Sequence, residues 1–383
     1  MTVISDIILE KLNTLLVVIN NQGKLDYVSP SVSKALGVSP EILNGQGWFN
    51  LTRKNAAEMI HVKEEVKLMI QSEVLPAPFE REFKTARGEK RWILWSPSKG
   101  PDNSVIGIGY DITERKIAEE RIQEKNRELQ KKNSELLDSL KYAQTIQEAI
   151  LPDIDSIKAS FKKAFVYYNP KDIVSGDFYF HYKTGNRVFV AAVDCTGHGV
   201  PGALMSVIGN SLLKDIVVKR GTNDPAQILR FLDEELFTAI NRSGKTVTSD
   251  GMDVAIGVFD FDKKVLTYSG AFRTLLYVRN QEVLEVKGNR YPIGFYQDVV
   301  KSFESVEIPL QQDDSFYFFS DGYADQFGGE QGKKLNRKRF KDLLLTINEM
   351  EADEQESFLD YALTNWKQEE EQTDDILIIG IGI

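Results

Sequence analysis

The stretch DCTGHGVPGALMS, residues 194–206, follows the apolar run RVFVAAV, residues 187–193. That run predicts a buried strand. At its end the chain places an acid, its only cysteine, a histidine and the glycines Gly197, Gly199 and Gly202. ALMSVIGNSLLKDIVV, residues 203–218, then predicts a helix. A strand that delivers a carboxylate to a flexible turn suits a site where side chain and backbone together meet a charged group. Glycines let the backbone pass tightly and let a carbonyl turn toward a cation. Glycine-rich turns also bind phosphates, but no Lys-Ser/Thr signature accompanies these, which excludes a nucleotide P-loop.

Three further acids share this setting: Asp177 in VSGDFYF, Asp321 in YFFSDGYAD and Asp374 in EEQTDDILIIG. Each borders an apolar, strand-like run. Taken singly, an acid at a strand end reads as a turn former or helix cap. If core strands bring all of them to Asp194, the cluster is strongly repulsive and some members must take up protons. With Mg²⁺ or Mn²⁺ the same cluster is a favourable oxygen-ligand site. Asp250 and Asp253, in SDGMDVA, read as residues that shape the turn before a strand, with a weak third metal as the alternative.

Composition limits the function classes. The chain has 383 residues, 42% of them hydrophobic and 27% charged, with a formal net charge of −10. Two or three domains with real cores are expected. The acidic balance argues against nucleic acid as a partner, which would need a basic face. One cysteine rules out an intrachain disulfide and a zinc finger. The opening MTVISDIILEKLNTLLVVINNQG has no basic leader and does not read as a signal peptide. No run approaches the ~18 apolar residues of a membrane span. A cytoplasmic protein without a membrane partner is expected.

Residues 1–111 alternate short strand-like runs with turns. LLVVINNQGKLDYVSP predicts a hairpin about an Asn-Gln-Gly turn, FEREFKTARGEKRWILWSPSK repeats the pattern, and SVIGIGYDIT closes it. The succession INNQGKLDYVSPSVSKALGVSPEILNGQ, GEKRWILWS and GIGYDITERK resembles a PAS sensor domain, with its Asp-Ile-Thr-Glu-Arg exit. The resemblance implies an antiparallel sheet with helices, in a sensing or dimerising module with room for an internal ligand whose identity the sequence leaves unknown. His61 reads as a helix-surface residue, with haem ligation as the alternative. Trp48, Trp92 and Trp95 read as core or interface aromatics.

Residues 112–151 hold no glycine or proline and are rich in good helix formers. Asp111 and Glu114 have capping-box spacing. Ile122, Leu129, Leu136, Ala143 and Ile150 recur every seven residues, with Glu119, Asn126, Asn133, Leu140 and Gln147 at the alternate seam positions. An apolar heptad interrupted by polar residues favours a two-stranded coiled coil of modest stability. A parallel homodimer is expected through this linker, and a helix packed on a neighbouring domain is the alternative.

Residues 152–383 cluster strand-like runs, with helices between the clusters. That favours an α+β layered fold over a doubly wound parallel sheet. NPKDIVSGDFY, VDCTGHGVPGALMS, DGMD, FFSDGYADQFGG and TDDILIIG resemble, in order, the motifs of the SpoIIE/RsbU-like branch of metal-dependent (type 2C) serine/threonine phosphatases. SLKYAQTIQEAILP is similar to that branch's lead-in helix. The resemblance implies an α-β-β-α sandwich and two divalent ions, Mn²⁺ or Mg²⁺. It assigns Asp194 as the bridge between both metals and the Cys195 carbonyl to one of them. Asp177, Asp321 and Asp374 are assigned to the other, with Asp374 preferred to Asp375. Asp177 and Asp194 would thereby carry catalysis. The implied substrate is a phosphoserine or phosphothreonine on a small bacterial regulatory protein, such as an anti-sigma-factor antagonist. Two departures stand out: GAFRTLLY replaces the usual Gly-Ala-Asn-Asn-Pro type stretch, and Leu377 replaces a common threonine.

His198 reads as structural, with a general-acid role as the alternative. Lys171 and Arg273 read as solvated surface charges that at most touch substrate phosphate. A cysteine phosphatase needs an arginine six positions after its nucleophile, where Pro201 stands, so Cys195 reads as a small buried residue. The acidic stretch from Glu349 to Asp375 reads as a solvated helix face. A histidine kinase needs a phosphoacceptor on the linker helix, but His61, His181 and His198 all lie elsewhere. A nucleotide cyclase and a non-catalytic phosphatase scaffold are the other readings.

Overall fold

The computed structural model describes residues 8, 11, 14–43, 47–52, 55–72, 74–241, 250–294 and 301–383. Most of the opening thirteen positions, and 44–46 within the sensor-like stretch, lie outside the described residues. The chain forms two compact units, Met1–Asn133 and Ser134–Ile383.

In the first unit β1 (Thr14–Ile19), β2 (Leu25–Val28), β3 (Phe79–Lys84), β4 (Lys90–Lys99) and β5 (Val105–Asp111) form one antiparallel sheet in the order β2-β1-β5-β4-β3. The Asn20 side chain accepts from the Gln22 and Lys24 amides and so closes the first hairpin. β1 alternates half-buried and buried residues, the mark of a sheet covered on one face. Val17, Ile19 and Trp95 pack there against Val32 and Leu36 of the helix Pro30–Leu36 and Val62 and Val66 of the helix Ala56–Gln71. Trp48 and Trp95 meet edge to face at 5.9 Å in that core, while half-buried Trp92 lies under the Lys116 ammonium at 5.3 Å. A cavity of about 70 Å³ opens among Trp48, Phe49, Val66, Met69, Phe83 and Trp95. His61 does not line it. Its side chain is exposed and pairs with Glu65 at 3.3 Å, so the structure supports the helix-surface reading over haem.

The helix Thr113–Ile150 runs unbroken, as its composition predicts. Its start differs from the predicted capping box: the Asp111 carboxylate accepts from the Thr113 amide and hydroxyl, without a reciprocal bond from Glu114. Asp111 is one residue too far upstream for the box, and it serves the first turn alone.

The second unit contains β6 (Lys163–Asn169), β7 (Asp177–Thr184), β8 (Arg187–Cys195), β9 (Met252–Asp260), β10 (Val265–Ala271), β11 (Leu275–Arg279), β12 (Glu282–Val286), β13 (Val306–Pro309), β14 (Ser315–Phe319), the short pair β15 (Phe327–Gly328) and β16 (Lys333–Lys334), and β17 (Ile376–Gly382). Two antiparallel sheets result, β13-β10-β9-β8-β7 and β12-β11-β14-β17-β6. Their strands read as continuous apolar runs because both faces are covered. On β8, Val188, Val190 and Ala192 face the core between the sheets, where Phe259, Phe316, Phe318, Leu377 and Ile379 also lie. The alternate residues Phe189, Ala191 and Val193 face the helices Gly199–Lys214 and Pro225–Ile240. The helices Asn336–Ile347 and Ala352–Lys367 cover the other sheet. The expected α-β-β-α sandwich is therefore present.

One expectation needs correction. Among the described residues Gly199–Lys219 is helical, long and apolar enough to cross a membrane. Half of its apolar window is buried, and Met205, Leu213, Ile216 and Val217 sit in the core, as in the central helix of a globular domain.

Phe318 is fully buried between the sheets, with its ring 6.2 Å from Tyr268 and 6.3 Å from Phe259. Phe318→Ala is expected to destabilise this unit by about 3–5 kcal/mol, read as a shift in the denaturation midpoint of its unfolding transition.

Candidate functional site

The register of the first sheet places acids side by side. Asp177, at the start of β7, pairs across the strands with Asp194, near the end of β8, and Asp194 pairs with Asp253 on β9. Directly opposed residues share a face and lie close enough to interact, and like charges so placed repel. The second sheet brings Asp321, just past β14, and Asp374, just before β17, to the same cluster: Asp194 feels the charges of Asp321, Asp253 and Asp374. The two strands are pinned there by Ser320, whose amide donates to the Leu377 carbonyl and whose hydroxyl accepts from the Leu377 amide. Residues scattered from position 177 to position 374 thus meet at one end of the sandwich.

The neighbours Asp374 and Asp375 have different duties. Asp375 is buried, and its two oxygens accept from the Lys171 amide at 2.8 Å and the Gly176 amide at 2.7 Å. Its carboxylate is spent on holding the loop before Asp177. Asp374 is exposed, and the Asp321 charge adds to its own.

Burial and mutual repulsion act on the whole set. Burial, with the nearby Asp194 charge, raises the Asp177 carboxyl well above its ordinary value. Burial also raises Asp194; Arg273 offsets this in part, and Asp321, Asp253 and Asp374 add to it. Asp253 is pushed up to about 6, mainly by burial. One oxygen of Asp177, Oδ2, is buried without a hydrogen-bond partner. An orphaned carboxylate oxygen among other carboxylates suits a divalent cation, so the donor set fits the metals the sequence implies. Among the described residues, however, no three acidic, histidine or cysteine side chains stand close enough to chelate one ion as they are placed. A guanidinium stands among them instead. Arg273 donates to Asp194 and pairs with Asp253 at 3.2 Å and Asp321 at 3.0 Å, and its side chain is only 8% exposed. The reading of Arg273 as a solvated surface charge is therefore corrected.

The turn after β8 is built on close backbone approach. A Cβ on Gly202 would stand 2.2 Å from the Gly197 carbonyl oxygen, and one on Gly176 would stand 2.6 Å from it. Cys195 is buried, and burial raises its thiol well above the usual range, so it is no nucleophile. Its carbonyl faces Gly176. His198 carries a specific partner: its Nδ1 lies 2.8 Å from a carboxylate oxygen of Asp172, and both side chains are about half exposed. Asp250 shapes the turn as expected, accepting weakly from the Thr196 hydroxyl at 3.5 Å. Asp253 does not fit that reading, because it stands in the acidic row itself. The Lys171 charge partly offsets the rise of the Asp374 carboxyl.

Gln147 was expected on the coiled-coil seam. It is buried within the second unit, donating to the Ser175 carbonyl at 2.7 Å and the Ser206 hydroxyl at 2.8 Å and accepting from the Ser175 amide at 3.1 Å. The Ser175 hydroxyl in turn accepts from the Asp177 amide at 3.0 Å. The heptad pattern hid this role, since a polar seam residue and a buried amide anchor occupy the same helical face.

A sandwich of two sheets with carboxylates gathered at one end, following a sensor-type unit, defines a PAS-linked phosphatase. The chain matches the family model described as Stage II sporulation protein E (SpoIIE) over residues 184–383 and a PAS domain model over residues 13–114. It belongs to the SpoIIE family and is a protein serine/threonine phosphatase of the PP2C type. The PP2C domain of SiaA from Pseudomonas aeruginosa is 33% identical, with a TM-score of 0.60 over 66% of this chain and 98% of that one. The RsbU and RsbW domains of a Mycobacterium tuberculosis protein are 20% identical, with a TM-score of 0.45 over 57% of this chain and 59% of that one. The PP2C domain with a regulatory fragment of SpoIIE from Bacillus subtilis is 17% identical, with a TM-score of 0.46 over 57% and 62% respectively. The comparison with curated proteins returns no match. The family is metal-dependent. Kinase, cyclase and non-catalytic scaffold readings are set aside by this membership.

Proposed function

We propose that this phosphatase hydrolyses phosphoserine or phosphothreonine on a small regulatory protein of the anti-sigma-factor antagonist type, in the cytoplasm, under control of its PAS unit. The observation that carries the catalytic part is the row Asp177–Asp194–Asp253 with the unpartnered, buried Oδ2 of Asp177. Asp194 would bridge two Mn²⁺ or Mg²⁺ ions, with the Cys195 carbonyl on one and Asp177, Asp321 and Asp374 on the other. Such a pair supplies an activated water and positive charge for the phosphoryl oxygens. His198, oriented through Nδ1 by Asp172, keeps Nε2 free to protonate the departing serine or threonine oxygen. Asp375 and Ser175 hold the loop that aims Asp177.

Control would pass along the helix Thr113–Ile150. Ile122, Leu129 and Leu136 are all exposed on it, one heptad apart, which supports a parallel homodimer through a seam that ends before Gln147. Gln147 grips Ser175 two residues before Asp177, so a shift of the helix alters the aim of that carboxylate.

Manganese-dependent hydrolysis of p-nitrophenyl phosphate is expected to fall by roughly 10³-fold or more in Asp194→Ala, with the far-ultraviolet circular dichroism unchanged. Retained turnover in that variant would remove Asp194 from the mechanism. Asparagine at Ile122, Leu129 and Leu136 together is expected to halve the mass seen by light scattering; an unchanged mass would refute the seam. Gln147→Ala is expected to lower Mn²⁺-dependent kcat by about tenfold or more, since two hydrogen bonds of ~1 kcal/mol each hold the loop through Ser175. A kcat within twofold of the parent would show that the grip does not set the aim of Asp177.

A further inference from the structure

The acidic cluster holds a cation of its own, and the chain is shaped to put it there. Arg273 lies in the turn between β10 and β11. Its carbonyl accepts from the Tyr268 hydroxyl at 2.9 Å, and a Cβ on Gly270 or Gly288 would come within 2.4 or 2.2 Å of that carbonyl oxygen. Phe272, just before it, has a φ of +63°, a conformation that bulky residues seldom adopt, and donates its amide to the Asn289 carbonyl at 2.8 Å. The backbone is thus fixed, and the long side chain is the part free to move.

That side chain is held only by its acidic partners, and not completely. Its two terminal nitrogens serve Asp194, Asp253 and Asp321, while Nε is buried with no partner. A guanidinium with an idle Nε–H has one donor of its fork unused, and once a terminal nitrogen is released beside it the pair matches two oxygens of a phosphoryl group. One positive charge among three carboxylates also leaves negative charge uncompensated. A divalent ion is a better partner for those oxygens, and once bound it repels the guanidinium, which then needs an anion. Asp321 is 47% exposed, so the cluster is open on that side.

We propose that Arg273 is a resident countercation that a divalent ion must displace from Asp194, Asp253 and Asp321, and that the displaced guanidinium binds the phosphoryl oxygens of the substrate. This rests on the reading of these acids as metal ligands. It makes Arg273 a competitor of the metal and a specificity residue for the phosphate.

The test uses the full-length protein, with Arg273→Gln and Arg273→Lys. Mn²⁺ affinity is measured by calorimetry, and the inhibition constant of inorganic phosphate is measured at saturating Mn²⁺. Arg273→Gln is expected to bind Mn²⁺ about tenfold more tightly than the parent and inorganic phosphate about tenfold more weakly, because a buried charge partner has been removed from both balances. Arg273→Lys, which keeps the charge without the fork, is expected to fall between the two in Mn²⁺ affinity and to lose phosphate affinity as well. Unchanged or weaker Mn²⁺ binding in both variants overturns the competition, and unchanged phosphate inhibition overturns the phosphate role. If a variant fails to fold without metal, recovery of cooperative unfolding at Mn²⁺ concentrations below those the parent requires supports the proposal. Failure to recover at parent-saturating Mn²⁺ counts against it. A parent protein that binds no Mn²⁺ removes the metal reading itself, which Asp177→Asn checks separately.

Discussion

Carboxylates forced to face one another across neighbouring strands are the constraint around which the phosphatase unit is arranged. Asp177, Asp194 and Asp253 are cross-strand partners, and no strand can slide to relieve them. A one-residue slip of β8 would exchange Val188, Val190 and Ala192, which face the other sheet, with Phe189, Ala191 and Val193, which face the helices. Both sets are buried, so the core on each face fixes the register, and the register fixes the acids. The raised carboxyls of Asp177, Asp194 and Asp253 show what the arrangement costs. The large apolar core offsets that cost, and the cations of a metal-dependent family are the physical means of relieving it.

Much of this was legible in the sequence, for reasons that can be stated. Strands covered on both faces give uninterrupted apolar runs, so β7, β8, β14 and β17 stood out beside their acids. An acid closing such a run marks the sheet edge where a site can form. The edge strands β12 and β13 were missed, because Glu282–Val286 and Val306–Pro309 are short and partly exposed and carry charge. Asp253 was read as a turn residue because its sequence neighbourhood is a turn; only the pairing of β9 with β8 puts it opposite Asp194. Arg273 was the larger misreading. Its partners lie far away in the sequence, and no periodicity announces such a contact. The one available signal was the replacement of an asparagine-rich stretch by GAFRTLLY.

Gln147 shows how a correct pattern can hide a different contact. The heptad Ile122, Leu129, Leu136 is exposed and remains open to a partner helix. The same face, continued to Gln147, turns into the phosphatase unit and is buried by it. Periodicity tells which side of a helix is apolar or special; it does not tell what covers it.

The segment from Lys171 to Asp177 is where two holds meet. Asp375 grips it from the start of β17, deep in a sheet, through the Lys171 and Gly176 amides. Gln147 grips it through the Ser175 amide and carbonyl, from a helix most of whose surface is exposed. The first hold is bound to the core and cannot shift without disturbing the sandwich. The second is made of neutral hydrogen bonds, each worth about 1 kcal/mol net. Breaking two or three of them costs about as much as the 1–3 kcal/mol by which separate sites in proteins are commonly coupled. A helix that carries signals therefore needs a polar anchor at this point: a buried apolar one would be too costly to release, and an acidic one would add to a cluster that already carries too much charge of one sign.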